Sequence, residues 1–279
     1  MMRASRLEGR RALVTGAGTG IGREIAIEFG RQGADVVLHY AVESEGAESA
    51  ALEIRAMGRQ AFTFAANFDV LDEANALADY ALTTLHRIDC LVNNSGITYN
   101  RPFLQITPAQ FDKLFNVNMR AQFFLTQRAV ANMLENGGGF ICNISSIHGL
   151  QGAPEHSAYA ATKGAIIAYT RALAVELAHR NVHVNGIAPG WITVPNYYSA
   201  IPGFNEENAR KDAFNAVPAG RYGTPLDVAR LAAFLCSPDA DFLVGQTLTL
   251  DGGTTSLMSL ISDFRTPSTA RFGKDFMPE

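Results

Sequence analysis

Short apolar, β-branched runs recur seven times along this 279-residue chain, at positions 12–14, 36–38, 61–64, 90–92, 140–144, 182–187 and 247–250, and several of them lack polar alternation. A strand open to water on one face alternates apolar and polar side chains, whereas a strand covered on both faces does not. Between most of the runs lie stretches with helical spacing. Ile21, Ile25 and Phe29, for example, stand four apart, with Arg23, Glu24 and Glu28 on the other faces. Strand alternating with helix implies parallel pairing, because parallel neighbours need a crossover connection. The expectation is an α/β fold: a doubly wound parallel sheet of about seven strands, forming a single domain over 1–253. Two stretches break the rhythm. One is a long segment over 190–221, of the kind that forms binding loops or lids, and the other is a tail over 254–279.

Composition narrows the class. Net charge is −4 and Lys and Arg are scattered, which points away from nucleic acid and anionic membranes and toward a small-molecule partner. No run approaches the roughly 18 apolar residues of a membrane span, and the opening residues carry no apolar leader. Cys90, Cys142 and Cys236 are odd in number and widely spaced, which suggests buried free thiols and a cytoplasmic setting, with no disulfide framework and no metal site.

After the first run comes Thr15-Gly16-Ala17-Gly18-Thr19-Gly20-Ile21-Gly22, leading directly into the first amphipathic helix. Strand, glycine-rich turn and helix is the arrangement in which a backbone approaches a pyrophosphate and the helix's positive end meets its charge, the signature of a Rossmann fold. Farther on, Tyr159 and Lys163 are four residues apart and so share a face of the helix that begins near Ser157. A free phenol has a pKa of about 10, and a nearby cation and a helix N-terminus both favour phenolate. Tyr159 could then exchange a proton with an alcohol or carbonyl oxygen while hydride moves to or from a nicotinamide.

These motifs resemble those of the short-chain dehydrogenases/reductases. Thr-Gly-x-x-x-Gly-x-Gly is that family's glycine pattern, and Asn93-Asn94-Ser95-Gly96 resembles its Asn-Asn-Ala-Gly with Ser in place of Ala. The resemblance implies a catalytic set of Asn118, Ser146, Tyr159 and Lys163. Ser146, thirteen residues before Tyr159, would hold the substrate oxygen, with Ser145 as its structural neighbour. Asn118 would support a water-linked relay through the Lys, and Asn116 would cap a helix or face solvent. NAD or NADP is implied, held by Gly16, Thr19, Gly20, Ile21, Gly22, Tyr40, Asp69, Val70, Asn93, Ser95, Gly96, Tyr159, Lys163, Pro189, Gly190, Ile192 and Thr193. The chain departs from the pattern at Val194, where the family's Thr would stand, with Thr193 beside it.

Neither an acidic residue nor a cation follows the second run in the place that sorts NAD from NADP. His39-Tyr40-Ala41 stands there, Thr19 fills a position often basic in NADP enzymes, and Glu43 and Glu45 open the next helix. His148, Trp191, Asn196 and Tyr197 are candidate substrate residues. With Tyr198, Phe204, Asn205, Glu206, Glu207 and Asn208 they suggest a grip on a sugar or polyol, although a helical lid with an acidic face explains the polar members equally well. A 3-oxoacyl-thioester reductase, a non-catalytic NAD(P) sensor and, for His148, a hydrolase are the competing readings. No nucleophile elbow accompanies His148. The resemblance further implies a homotetramer, packed through the helix carrying Ile166, Ile167, Tyr169 and Leu173 and through the last strand. Leu257, Leu260, Phe264, Phe272 and Phe276 of the tail would reach a neighbouring subunit.

Overall fold

The structure is a computed structural model that describes residues 5–195, 203–258 and 264–265. Each apolar run becomes a strand: β1 (Arg11–Val14), β2 (Asp35–Tyr40), β3 (Ala61–Ala65), β4 (Cys90–Asn93), β5 (Gly139–Ile144), β6 (Val182–Pro189) and β7 (Thr247–Leu250). The helices between them are α1 (Gly20–Arg31), α2 (Ser44–Ala56), α3 (Leu71–Leu85), α4 (Pro108–Phe115), α5 (Ala121–Glu135), α6 (Ser157–Leu177), α7 (Glu206–Ala216) and α8 (Pro225–Leu235). All seven strands pair in parallel in the order β3-β2-β1-β4-β5-β6-β7.

Side chains on successive strand residues enter opposite apolar layers, which explains the missing polar alternation. Ala12 and Val14, Val36 and Leu38, and Cys90 and Val92 face the layer that contains α1 and α8. Leu13, Val37 and Leu91 face the layer built on α3 and α5. All three cysteines are buried free thiols, and burial pushes the Cys236 thiol well up.

Strand order reverses between β1 and β4, so the connections leaving their carboxyl ends diverge and open a crevice there. Two segments lie outside the strand–helix alternation. The 190–221 stretch contains α7, capped by Asn205, whose side chain accepts from the Asn208 amide at 3.0 Å. It is fastened at its far end by Arg221, which grips Asp227 at 2.8 and 3.1 Å. Farther along, Arg265 lies over the Phe214 ring of α7 at 4.2 Å and the Phe264 ring at 4.7 Å, and donates to the Phe214 and Val217 carbonyls. At that point the tail contacts α7 of its own chain. Leu260, Phe272 and Phe276 lie outside the described residues.

Candidate active site

At the mouth of the crevice, Gly16 and Gly20 have φ of 66° and 54°, the left-handed region that favours glycine. At Gly22 the constraint is space, since a Cβ there would lie 2.1 Å from the Gly16 carbonyl oxygen. Thr15 binds the turn to the neighbouring strand end: its hydroxyl accepts the Asn94 and Ser95 amides at 2.9 and 3.0 Å. The Asn94 side chain donates back to the Thr15 carbonyl at 2.9 Å. The Gly16 amide donates to the His39 ring at 3.1 Å and the Ala17 amide to the His39 carbonyl at 2.6 Å. Thr19, Gly20 and Ile21 follow at the N-terminus of α1, its positive end, where an anion would be favoured.

On the far side of β2, Tyr40 is half-buried and Val70 exposed. Asp69 accepts from the Asn116 side chain at 3.0 Å, so Asn116 fastens the α4–α5 junction to the end of β3, a role beyond the capping or surface position expected for it. Arg23 is committed to the Gly46 carbonyl, Ser49 and Glu53.

The catalytic candidates converge beyond β4 and β5. Lys163 is buried in α6, and its Nζ donates to the Ile144 carbonyl at 3.0 Å and lies 5.6 Å from the centre of the Tyr159 ring. Desolvation lowers its pKa to about 8. Asn118 sits in a π-helical turn, Asn116–Arg120, between α4 and α5; such turns reorient the main chain and are frequent at functional sites. Its side chain accepts the Ile97 amide at 2.8 Å and donates to the Ile97 carbonyl at 2.9 Å and to Thr162 Oγ1 at 3.1 Å. A Cβ placed on Gly96 would meet Asn118 Oδ1 at 3.4 Å and Lys163 Nζ at 3.5 Å, so both groups crowd the same point.

The structure separates the two serines. Ser145 Oγ donates to the Lys163 carbonyl at 2.8 Å, a purely internal tie. Ser146 accepts the His148 amide at 3.2 Å, and no protein acceptor for its own proton stands among the described residues. Beside it, the His148 and His156 rings stack 4.4 Å apart, with the Tyr159 ring edge-on to both. Burial lowers the His148 pKa, and the neighbouring His156 lowers it further.

Across the crevice, β6 ends at Pro189, and a Cβ on Gly190 would stand 2.6 Å from Asp251 Cβ. Ile192 is buried, and Val194 packs beneath Gly20. Thr193 Oγ1 is buried without a partner among the described residues. The close-packed glycine turn and this hydroxyl fit a dinucleotide, with Thr193 available to an amide. Trp191 and Tyr222 set their rings 6.2 Å apart. Asn196 and Tyr197 lie outside the described residues.

A family model described as enoyl-(acyl carrier protein) reductase matches residues 16–255. A trihydroxynaphthalene reductase of Pestalotiopsis fici is 38% identical over 253 residues, covering 88% of this chain and 89% of the relative. The chain belongs to the short-chain dehydrogenase/reductase family. Among solved members, a 7α-hydroxysteroid dehydrogenase complexed with NADH and 7-oxo glycochenodeoxycholic acid is 37% identical with a TM-score of 0.83, covering 90% of this chain and 96% of that one. A candidate NAD(P)-dependent gluconate 5-dehydrogenase of Beutenbergia cavernae with bound NADP is likewise 37% identical with a TM-score of 0.83, covering 91% and 100%. As a member of the short-chain family this chain is an oxidoreductase of the NAD(P)-dependent class.

Within this short-chain dehydrogenase, contacts link Ser146, His148, Tyr159 and Lys163 beyond β5, bring Lys163 and Asn118 together at Gly96, and set Gly16 against Ser95 and Gly20 against Val194. The Asn93 side chain is fully buried and donates to Thr126 Oγ1 at 2.9 Å and Asn143 Oδ1 at 2.8 Å, so it braces β4, β5 and α5 from inside, and only its main chain is left to face a cofactor. Sequence reasoning missed His156, which stands three residues before Tyr159 and therefore one helical turn away. It also missed the role of His39, which no local spacing signals.

Proposed function

We propose that this short-chain dehydrogenase reduces a carbonyl on a flat, hydroxylated ring system with NADH or NADPH, through Ser146, Tyr159, Lys163 and Asn118. The observation that carries the chemistry is the meeting of Asn118 and Lys163 at Gly96, with Tyr159 one helical turn from Lys163 on the same helix face. The glycine turn and the 189–193 segment would hold the cofactor, which when bound would supply the hydride. Ser146 donates its hydroxyl proton to the substrate oxygen, fixing the carbonyl beside the phenol. Tyr159 delivers the proton to that oxygen, and the Lys163 cation stabilises the phenolate left behind. Both hydrogens of the Asn118 side-chain amide are engaged, so a water relay to Lys163 would use the Asn118 main-chain carbonyl instead of the side chain.

The substrate class is supported by the stacked His148 and His156 rings beside Tyr159, by the Trp191–Tyr222 ring pair after β6, and by the similarity to hydroxynaphthalene reductases. A sugar or polyol is the second reading, favoured by the similarity to the candidate gluconate 5-dehydrogenase. It is weakened by Asn205 and Glu207, which serve α7 as its cap and in an ion pair with Lys211. A 3-oxoacyl thioester ranks below both, since Arg23, the cation nearest the glycine turn, is committed to Glu53.

A homotetramer is proposed as well, supported by the exposed aromatics Phe111, Phe123, Phe124 and Phe242. Reduced, buried cysteines fit a cytoplasmic enzyme. Among the described residues no helix is long and apolar enough to cross a membrane. Nicotinamide oxidation followed with a hydroxylated naphthalenone, an aldose, gluconate and an oxoacyl thioester ranks these substrates directly. Turnover confined to the sugars would replace the first reading by the second.

A further inference from the structure

His39 is the penultimate residue of β2 and its side chain is buried, yet Gly16, Ala66 and Ser95, from three different connections, meet on its ring. Nε2 lies 2.9 Å from the Ala66 carbonyl, which can only accept, so Nε2 carries the proton. Nδ1 is then the acceptor, and it receives the Gly16 amide at 3.1 Å and faces the Ser95 hydroxyl at 3.2 Å. The ring stacks on Phe68 at 4.2 Å with an interplanar angle of 6°. Burial holds its pKa down at about 4, which keeps the ring neutral and Nδ1 open to donors.

We propose that His39 is a positioning residue for the dinucleotide: its Nδ1 sets the glycine turn against Ser95 and so fixes where the pyrophosphate can sit. Ser95 stands where the family's motif has Ala, and its hydroxyl exists here to meet this ring. The second connection runs onward, because the Ser95 carbonyl accepts from Gln122 of α5 and the next residues, Gly96 and Ile97, lead to Asn118. One imidazole thereby orients both the turn over the phosphates and the strand end that carries the catalytic side of the crevice. It touches neither the substrate nor the reacting atoms.

The proposal rests on the nicotinamide-cofactor reading, and its test needs no substrate. Asn places an oxygen near the position of Nδ1 and loses the Nε2 donor; Gln places a donor near Nε2 and loses the Nδ1 acceptor. NADH and NADPH affinities are measured by fluorescence titration of wild type, His39→Asn, His39→Gln and Ser95→Ala, alongside each thermal midpoint. The expected result is a split. His39→Gln weakens cofactor binding roughly tenfold while His39→Asn stays within about twofold, although both lose the Phe68 stack and melt earlier. Equal affinities for the two His39 variants overturn the proposal, since a role confined to packing follows melting and not acceptor position. If neither His39 variant folds, Ser95→Ala decides: a roughly threefold weaker cofactor supports the positioning role, and unchanged affinity refutes it. Wild type that binds neither nucleotide removes the cofactor reading and this proposal together, whereas a binding wild type with an absent split removes this proposal alone.

Discussion

Lys163 donates from the core to the main-chain carbonyl of Ile144, 3.0 Å away, where β5 ends and the Ser145-Ser146 turn begins. A single hydrogen bond to a neutral acceptor does not repay the dehydration of an ammonium ion, which is why its pKa falls to about 8. On the proposed mechanism the cation serves Tyr159 and not the fold.

Lys163→Met should therefore abolish turnover and stabilise the protein. At neutral pH Lys163 is protonated in both states, and the fall from 10.5 to about 8 corresponds to a penalty of about 3 kcal/mol carried by the folded state. The sign follows from proton counting. Between about pH 8 and 10.5 the unfolded chain binds more protons at this group than the folded one, so its penalty shrinks as pH rises through that window. Chemical denaturation at pH 7 and pH 9.5 should show a variant-minus-wild-type gap that narrows at the higher pH. A variant less stable than wild type at pH 7 would contradict the burial cost.

In wild type the same titration removes the cation beside Tyr159. The rate of reduction at saturating substrate should fall as pH rises through about 8, provided the bound cofactor leaves Lys163 near its present surroundings. A rate that stays level to pH 9.5 would detach Lys163 from the proton transfer.

The adjacent serines make a matched pair. Ser146→Ala should reduce kcat by roughly 10²- to 10³-fold with little change in stability, as expected for an oxyanion-type donor. Ser145→Ala removes the bond to the Lys163 carbonyl and should cost about 1 kcal/mol of stability with a much smaller loss in rate. Steady-state kinetics and denaturation on both variants check the assignment, and a reversed pattern would exchange their roles.

Gly22→Ala tests the turn. Its Cβ would stand 2.1 Å from the Gly16 carbonyl oxygen and 2.4 Å from Asn94 Nδ2, and both belong to the frame that aligns the phosphates. Cofactor affinity should fall beyond tenfold, with a loss of about 2 kcal/mol or more in stability. Isothermal titration with NADH reads the first effect and thermal melting the second.

How much of this could be read before the structure differs from element to element. The strands were legible because Ala12, Leu13 and Val14 are apolar on both faces, a pattern only a covered parallel sheet requires. Tyr159 and Lys163 were legible because one helix carries both. The bracing role of the Asn93 side chain was not legible because its partners Thr126 and Asn143 come from other elements and appear only once β4, β5 and α5 are packed. His39 was invisible as a tie for the same reason: Ala66, Gly16 and Ser95 lie on three different connections. The 190–221 segment resisted because its polar residues serve α7 in part, a division that composition does not disclose.

The central claim is that Tyr159 delivers the proton in a nicotinamide-linked reduction. Its most direct test is the nicotinamide absorbance of wild type and Tyr159→Phe with NADH or NADPH and a hydroxylated naphthalenone, together with cofactor affinity for each. The expected result is turnover by wild type, a loss of at least roughly 10³-fold in Tyr159→Phe, and equal cofactor affinity. Undiminished turnover by Tyr159→Phe would contradict the account.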